Sequence, residues 1–524
     1  MSKSQQPIRP TAAYNRSVEG LRHQEYPMLK DKAYLDHGGA TLCAKSLIQG
    51  FSNDLITNLY GNPHSDSSPS HLSGTRVDAI RERTLRFFNA DPRDFDLIFT
   101  ANATAAIKLV MDSFRDFAIR NATPGFWYGY HRDAHTSLVG IREVTEGLHR
   151  CFHSDAEVEE WIDEEDDTSS VDEKRQVRLF AYPGQSNMTG RRLPLTWPNR
   201  IRQSKRGKTT FSLLDAAALA TTAPLDLSVE SNAPDFITIS FYKIFGFPNV
   251  GALIVRKRAG HMLQQRRYFG GGTVDMLEDG TLPFHSIFAL DHAISVHQRL
   301  YGSMARISSH TAYLSKLLFD SLSTLAHLNG QPAIQIYKDD SAVYGDPKTQ
   351  GATIAFNVLR ADGTPIGYAD VEKAADKHGI YVRSGGLCNP GGVATYLGWE
   401  PWEMKAAYTA GHRCSRPTQI VQGKLTGVVR ASLGAMSTIA DVERLVAFVT
   451  ETYIQRRLDP EQVIIHLVPT SKTMLFTSRD VTLPKEDAAG GCELKRSSKA
   501  RRWARDVYGL VKTRSKGVLL VETL

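Results

Sequence analysis

The chain has 524 residues and a formal net charge of +7, with 41% hydrophobic and 23% charged residues. That balance is ordinary for a globular protein with a sizeable core, and it excludes a disordered or collagen-like chain. No apolar span is long enough for a bilayer and no signal-peptide pattern opens the chain, so neither a membrane partner nor secretion is expected.

The five cysteines, Cys43, Cys151, Cys388, Cys414 and Cys492, are sparse and have no close pairs. Such spacing does not make a disulfide framework or a zinc site, and a reducing, cytoplasmic setting is expected. The first eighteen residues hold Lys3, Arg9 and Arg16 and no acid, but no amphipathic pattern supports a mitochondrial presequence. The basic run K-R-S-S-K-A-R-R-W-A-R (495–505) has the charge to meet nucleic acid or an anionic membrane. A solvated helix face or tail is the reading favoured, and no nucleic-acid partner is expected.

In chain order, residues 1–30 read as an irregular lead-in. From Tyr34 to about Val449, short apolar runs alternate with helical periodicity, the pattern of an α/β protein. Ser73 is placed to cap a helix in which Val77, Ile80, Thr84 and Phe88 recur. F-D-L-I-F-T (95–100) predicts a buried strand, A-N-A-T (101–104) a turn, and Ile107, Val110, Met111 and Phe114 one face of the next helix. The acidic block 155–173 reads as an exposed insertion. Strands are predicted at 177–182, 210–215, 236–240 and 251–255, and a long helical stretch at 286–325. A second α/β unit follows, with strands at 353–359 and 428–433. The expected division is a large unit over 31–290, a linking helix and small unit over 291–455, and a basic extension over 456–524.

Three places carry chemistry. A strand, a small-residue turn and a helix at 95–114 offer free backbone N–H groups to a phosphate, with the Thr104 hydroxyl as a further donor. L-L-D-A-A-A (213–218) ends a strand on Asp215, where ligands gather in open α/β sheets, although a helix N-cap would look the same. In I-S-F-Y-K-I-F-G-F (239–247), Lys243 follows a buried strand among aromatics. Desolvation lowers a lysine pKa and exposes a nucleophilic amine. Phosphate site, acid and lysine together point to pyridoxal 5'-phosphate: the acid keeps the pyridine nitrogen protonated and the lysine holds the aldehyde.

The stretches Y-L-D-H-G-G-A-T-L (34–42), L-Y-G-N-P-H-S (59–65), I-F-T-A-N-A-T-A-A-I-K-L-V (98–110), H-T-S-L-V-G-I-R (135–142) and Q-S-N-M-T-G-R-R (185–192) resemble the desulfurase part of the eukaryotic molybdenum cofactor sulfurases. The resemblance covers roughly residues 30–450. It implies the class V branch of fold type I of the pyridoxal-phosphate enzymes: a large domain with a mostly parallel seven-stranded sheet, and a smaller α/β domain. It also implies roles. Lys243 corresponds to the lysine that holds the cofactor, Asp215 to the acid at its ring nitrogen, His135 to the histidine stacked on the ring, and Asn187 to the asparagine near its phenolic oxygen. Thr104, Ser240 and Tyr242 correspond to phosphate contacts, and Thr273 to a threonine that reaches the phosphate of a neighbouring subunit, hence a homodimer. Arg430 corresponds to the arginine that binds the α-carboxylate of the substrate, L-cysteine.

The loop I-Y-V-R-S-G-G-L-C-N-P-G-G-V (380–393) then gains a role. The resemblance implies that the Cys388 thiolate takes sulfur from L-cysteine as a persulfide, releases alanine, and passes the sulfur to the molybdenum cofactor. Glycines on both sides of Cys388 are expected to act as hinges. The sequence departs from the family pattern in three ways. About seventy residues follow the resembling region, too few for the family's domain that binds the molybdenum cofactor. Gly386 and Val393 stand where further loop cysteines often occur, and Ala218 stands where many bacterial desulfurases have a glutamine. Two other readings stay open: a different class V enzyme, such as a C–S lyase, epimerase or decarboxylative enzyme, and a non-catalytic scaffold.

Overall fold

Alternating side chains decide the central layer. In F-D-L-I-F-T, Leu97 and Phe99 enter one apolar core while Ile98 enters another, as the two-residue period of a strand covered on both faces requires. A computed structural model of the chain describes residues 13–123, 125–164, 176–268, 270, 277–411 and 418–454. The contacts divide the chain into two compact units, Met1–Arg457 and Leu458–Leu524. The second lies outside the described residues, as do Thr273 and the basic run 495–505.

Seven strands form the main sheet: β1 (Phe95–Thr100), β2 (Trp127–His131), β3 (His149–Phe152), β4 (Arg178–Pro183), β5 (Thr210–Asp215), β6 (Phe236–Ser240) and β7 (Gly251–Arg256). Their order is β1-β7-β6-β5-β4-β2-β3, with β7 antiparallel to both neighbours and the other pairs parallel. The carboxyl ends of β1, β2, β4, β5 and β6 therefore share one edge, and the residues that follow them meet there. Helix α1 (Ser68–Phe87) and helix α3 (Phe284–Tyr301) cover one face, and helix α2 (Ala103–Arg120) covers the other.

A second, antiparallel sheet has the order β10-β11-β9-β8, from β8 (Ile334–Tyr337), β9 (Thr353–Val358), β10 (Arg383–Gly385) and β11 (Val428–Ser432). Helices α4 (Met304–Ser323), α5 (Tyr368–Lys377) and α7 (Ile439–Tyr453) pack on its core, around Ile354, Phe356 and Val358. A short helix, α6 (Pro390–Leu397), follows Cys388. Five of the seven main-sheet strands match the predicted runs to within a residue at each end, while β2 and β3 were not predicted as strands. The helical run at 286–325 divides into α3 and α4 because Gly302 takes φ +79° and Ser303 caps the next helix.

Three local expectations are corrected. The lead-in holds a helix, Ser17–Glu25, whose Val18 is buried and whose Arg22 bonds Asp441 at 2.7 Å. Ser73 is not a cap: α1 begins at Ser68, and the Ser73 hydroxyl bonds back to the Pro69 carbonyl inside the helix. The first half of the acidic block is a helix, Asp155–Asp163, that buries Val158, Trp161 and Ile162. Its acids mask an apolar face with helical spacing; residues 165–173 lie outside the described residues.

Candidate active site

The turn after β1 is held by its own side chains. Asn102 caps α2 by accepting from the Ala105 N–H at 3.0 Å, and the Ala103 N–H donates to the Ser240 hydroxyl at 3.3 Å. Gly251 is needed beside it, since a Cβ there would stand 2.6 Å from the Asn102 carbonyl carbon. The exposed Thr104 hydroxyl lies 2.7 Å from that of Ser137, which is 2.9 Å from Nδ1 of His135. The N-terminus of an eighteen-residue helix thus carries two adjoining hydroxyls, a donor set suited to phosphate.

Lys243 sits in a short helix, Phe241–Phe245, directly after β6. Gly246 ends that helix at φ +80°, and a Cβ there would come within 2.3 Å of the Cys43 nitrogen. Only glycine lets the chain turn so closely past residues 42–43. Among the described residues no hydrogen bond or ion pair engages the Lys243 amine. Burial pushes its pKa down, with Asp215 opposing and Arg430 and Arg383 adding to the fall. Asp215 ends β5 with its carboxylate accepting from the Ala217 N–H at 3.0 Å. Burial likewise lowers the His135 imidazole, again against the pull of Asp215.

Asn187 ties three parts together. Its Nδ2 donates to the Leu387 carbonyl at 2.7 Å, its Oδ1 accepts from Asn389 Nδ2 at 3.0 Å, and its carbonyl accepts from Arg430 Nη1 at 2.9 Å. Arg430 is 2% exposed, and its Nη2 donates to Asp36 at 2.5 Å. Cys388 is exposed between buried Leu387 and Asn389, and its carbonyl accepts from the Thr136 N–H at 2.9 Å. The Cys388 loop thus rests on the His135 turn. Its glycines divide by role. A Cβ on Gly391 would stand 2.3 Å from the Arg132 carbonyl oxygen, and one on Gly392 2.7 Å from Asn389 Oδ1. Those two allow close packing at the start of α6, while Gly386 has open space around it.

Of the predicted residues, Thr104, His135, Asn187, Asp215, Ser240, Lys243, Cys388 and Arg430 converge on this edge. Tyr242 contributes its carbonyl, which accepts from the Thr41 N–H at 3.4 Å, and no hydrogen bond engages its hydroxyl among the described residues. Thr273 lies outside them. Sequence reasoning missed four residues: Asp36, Ser137, Arg383 and Asn389. Each lies within a quoted motif, and Arg383 is placed by register, paired across the ladder with Arg430. A cation-rich edge with the Lys243 amine, the Asp215 carboxylate and a helix N-terminus fits pyridoxal 5'-phosphate.

The chain is 54% identical over 463 residues to a molybdenum cofactor sulfurase of Aspergillus niger, a match covering 84% of this chain and 55% of that one. It is 50% identical over 462 residues to one of Botryotinia fuckeliana, covering 84% and 56%. The chain thus spans little more than half the length of these relatives. A cysteine desulfurase from Thermococcus onnurineus shares the fold with a TM-score of 0.63 at 18% identity, covering 83% of this chain and 97% of that one. The cysteine desulfurase CsdA of Escherichia coli does so with a TM-score of 0.59 at 18% identity, covering 83% and 98%. The family model for aminotransferase class-V matches residues 33–445, so the edge that gathers Lys243, Asp215 and Arg430 lies wholly within it: the chain belongs to the aminotransferase class-V family.

Proposed function

We propose that the chain is a cysteine desulfurase dependent on pyridoxal 5'-phosphate, taking sulfur from L-cysteine for sulfuration of the molybdenum cofactor. The observation that carries this reading is the placement of an exposed thiol, Cys388, on a loop bonded through Asn187 to the arginine that would receive the substrate. The relatives' names support the final acceptor.

Lys243 and Asp215 would hold the cofactor at its aldehyde and ring nitrogen, and Thr104, Ser137 and Ser240 at its phosphate. Thr273 is proposed as a further phosphate contact, made across a homodimer. When bound, the cofactor supplies an electron sink for carbanion character at the substrate's α-carbon. The chain's own residues do the rest. Arg430 binds the α-carboxylate through its guanidinium. Lys243, its pKa lowered by burial, is poised to move the α-proton. His135 lines the same edge, with Nδ1 fixed by Ser137. The Cys388 thiolate attacks the substrate sulfur: a sulfur–sulfur bond forms, the substrate's carbon–sulfur bond breaks, and the carbon fragment leaves as alanine after protonation. The persulfide on Cys388 then faces solvent and an acceptor.

Purified protein is assayed with L-cysteine for alanine and for sulfide, alongside Lys243→Ala and Cys388→Ser. Lys243→Ala loses turnover. Cys388→Ser abolishes sulfur release and keeps the coloured cofactor. Retention of most turnover in Cys388→Ser would favour a C–S lyase or another class V reaction. Sedimentation tests the homodimer, and a fully active monomer refutes it.

A further inference from the structure

Arg430 already holds a carboxylate. Its Nη2 donates to Asp36 at 2.5 Å, while the Asp36 side chain keeps 24% of its surface open. The guanidinium is not exhausted, since its buried Nε has no partner among the described residues. The segment D-H-G-G (36–39) is shaped around the pair. A Cβ on Gly38 would lie 3.3 Å from Arg430 Cζ, and one on Gly39 2.7 Å from the Asp36 carboxylate. Both positions are bare because the ion pair fills the space a side chain would need. The backbone on either side is pinned to β11: the Ser432 N–H donates to the Leu35 carbonyl at 2.7 Å, and the Gly38 N–H to the Ser432 hydroxyl at 2.8 Å. Asp36 is thus fixed to the strand that carries Arg430.

From this we infer that Asp36 is a resident carboxylate that competes with the amino acid's α-carboxylate for Arg430 and so sets the affinity of the site. This rests on the assignment of Arg430 as the carboxylate receiver. A guanidinium shared by two carboxylates brings like charges within roughly 4–6 Å, and such neighbours oppose each other. The benefit of the arrangement is release: an amino acid bound against a resident anion leaves readily, and simple monocarboxylates are kept out. Asp36 is a positioning residue as well, because it orients the guanidinium. The two roles separate by substitution. Asp36→Asn retains an oxygen that accepts from Nη2 and removes the charge; Asp36→Ala removes both.

The experiment measures L-alanine binding to the cofactor-loaded protein by calorimetry, with KM and kcat for L-cysteine alongside. The expected result for Asp36→Asn is a fall in the L-alanine Kd by about ten-fold, with KM falling in parallel and kcat not rising. In Asp36→Ala, Kd and KM exceed those of Asp36→Asn because the guanidinium is no longer aligned. If Asp36→Asn fails to fold, as judged by melting, Asp36→Ser supplies the neutral side chain and is expected to tighten L-alanine in the same direction. An unchanged or weakened Kd in folded Asp36→Asn, or in Asp36→Ser where it takes its place, overturns the inference. Wild-type protein that binds L-alanine yet releases no sulfur from L-cysteine overturns the proposed function and leaves this competition standing.

Discussion

Asn389, the residue after Cys388, is fully buried and uses its side chain three times. Its Nδ2 donates to the Asp133 carbonyl at 3.1 Å and to Asn187 Oδ1 at 3.0 Å, and its Oδ1 accepts from the Gly392 N–H at 2.9 Å. Asn389→Ala removes all three. Loss of an N-cap costs about 1 kcal/mol. The two remaining bonds contribute about 1 kcal/mol each, with their acceptors left dry. The loop should therefore lose about 3 kcal/mol of local stability, against about 1.4 kcal/mol per factor of ten. Hydrogen exchange at the Gly392 and Val393 amides reads this directly, since Gly392 bonds the lost cap and Val393 the Asn389 carbonyl. The expected loss of protection is about a hundred-fold, with faster alkylation of Cys388. A loss under about three-fold, with alkylation unchanged, would refute the claim that Asn389 latches the loop. Asn389→Asp keeps the cap acceptor and loses the donor, so it should fall between.

In cofactor-free protein, burial holds the Lys243 amine below its ordinary value of 10.5, so the native state binds fewer protons than the unfolded state between the lowered value and 10.5. Stability then falls as pH drops through that window, and Lys243→Met should raise the melting temperature at pH 7, with a gain that vanishes above about pH 10.5; equal gain at every pH contradicts this. His297 is held down to about 4 by burial among Phe87, Phe245 and Tyr301, so its protonation opposes the fold as pH falls from 6.5 toward 4. His297→Phe should flatten the acid limb of a urea titration by up to about 1.4 kcal/mol per pH unit. Gly246→Ala forces a Cβ against residues 42–43 and strains a backbone at φ +80°, which should cost about 3 kcal/mol or more and weaken cofactor retention. Melting and absorbance measure both effects, and an unchanged melting temperature would count against the close approach.

The readable parts of this chain are those where one physical cause acts alone. The apolar residues of F-I-T-I-S mark a buried strand, so β6 was legible to the residue, and Lys243 was placed by following it. Residues whose roles depend on distant partners were not legible. Asp36 and Arg430 are separated by 394 positions, and nothing local in D-H-G-G states that the glycines make room for a guanidinium. Asp155–Asp163 misled for the opposite reason: its charge was visible, while the burial of Trp161 depends on Phe152 and Phe180 from two strands. Arg383 acquires meaning only through the register that pairs it with Arg430.

The loop around Cys388 illustrates how far a composition can be trusted. Glycines at 385, 386, 391 and 392 suggested a thiol swinging on two hinges, but of the four only Gly386 has open space around it, Gly385 being held in β10 opposite Val428. Beyond the thiol the chain is fixed through Asn389 to the Asp133 carbonyl, and before it through the Leu387 carbonyl to Asn187. Leu387 and Cys388 both stand at positive φ, 55° and 54°, a conformation that costs a non-glycine residue about 1 kcal/mol or more. Two such residues in succession persist only where the surroundings hold them, and here the holding groups belong to the cofactor edge. Mobility is therefore expected in the Cys388 side chain and at Gly386, with Asn389 and the start of α6 as the fixed end. A sulfur carried by this thiol would reach an acceptor that comes to the edge, over the short arc that a cysteine side chain and a two-residue strained turn allow.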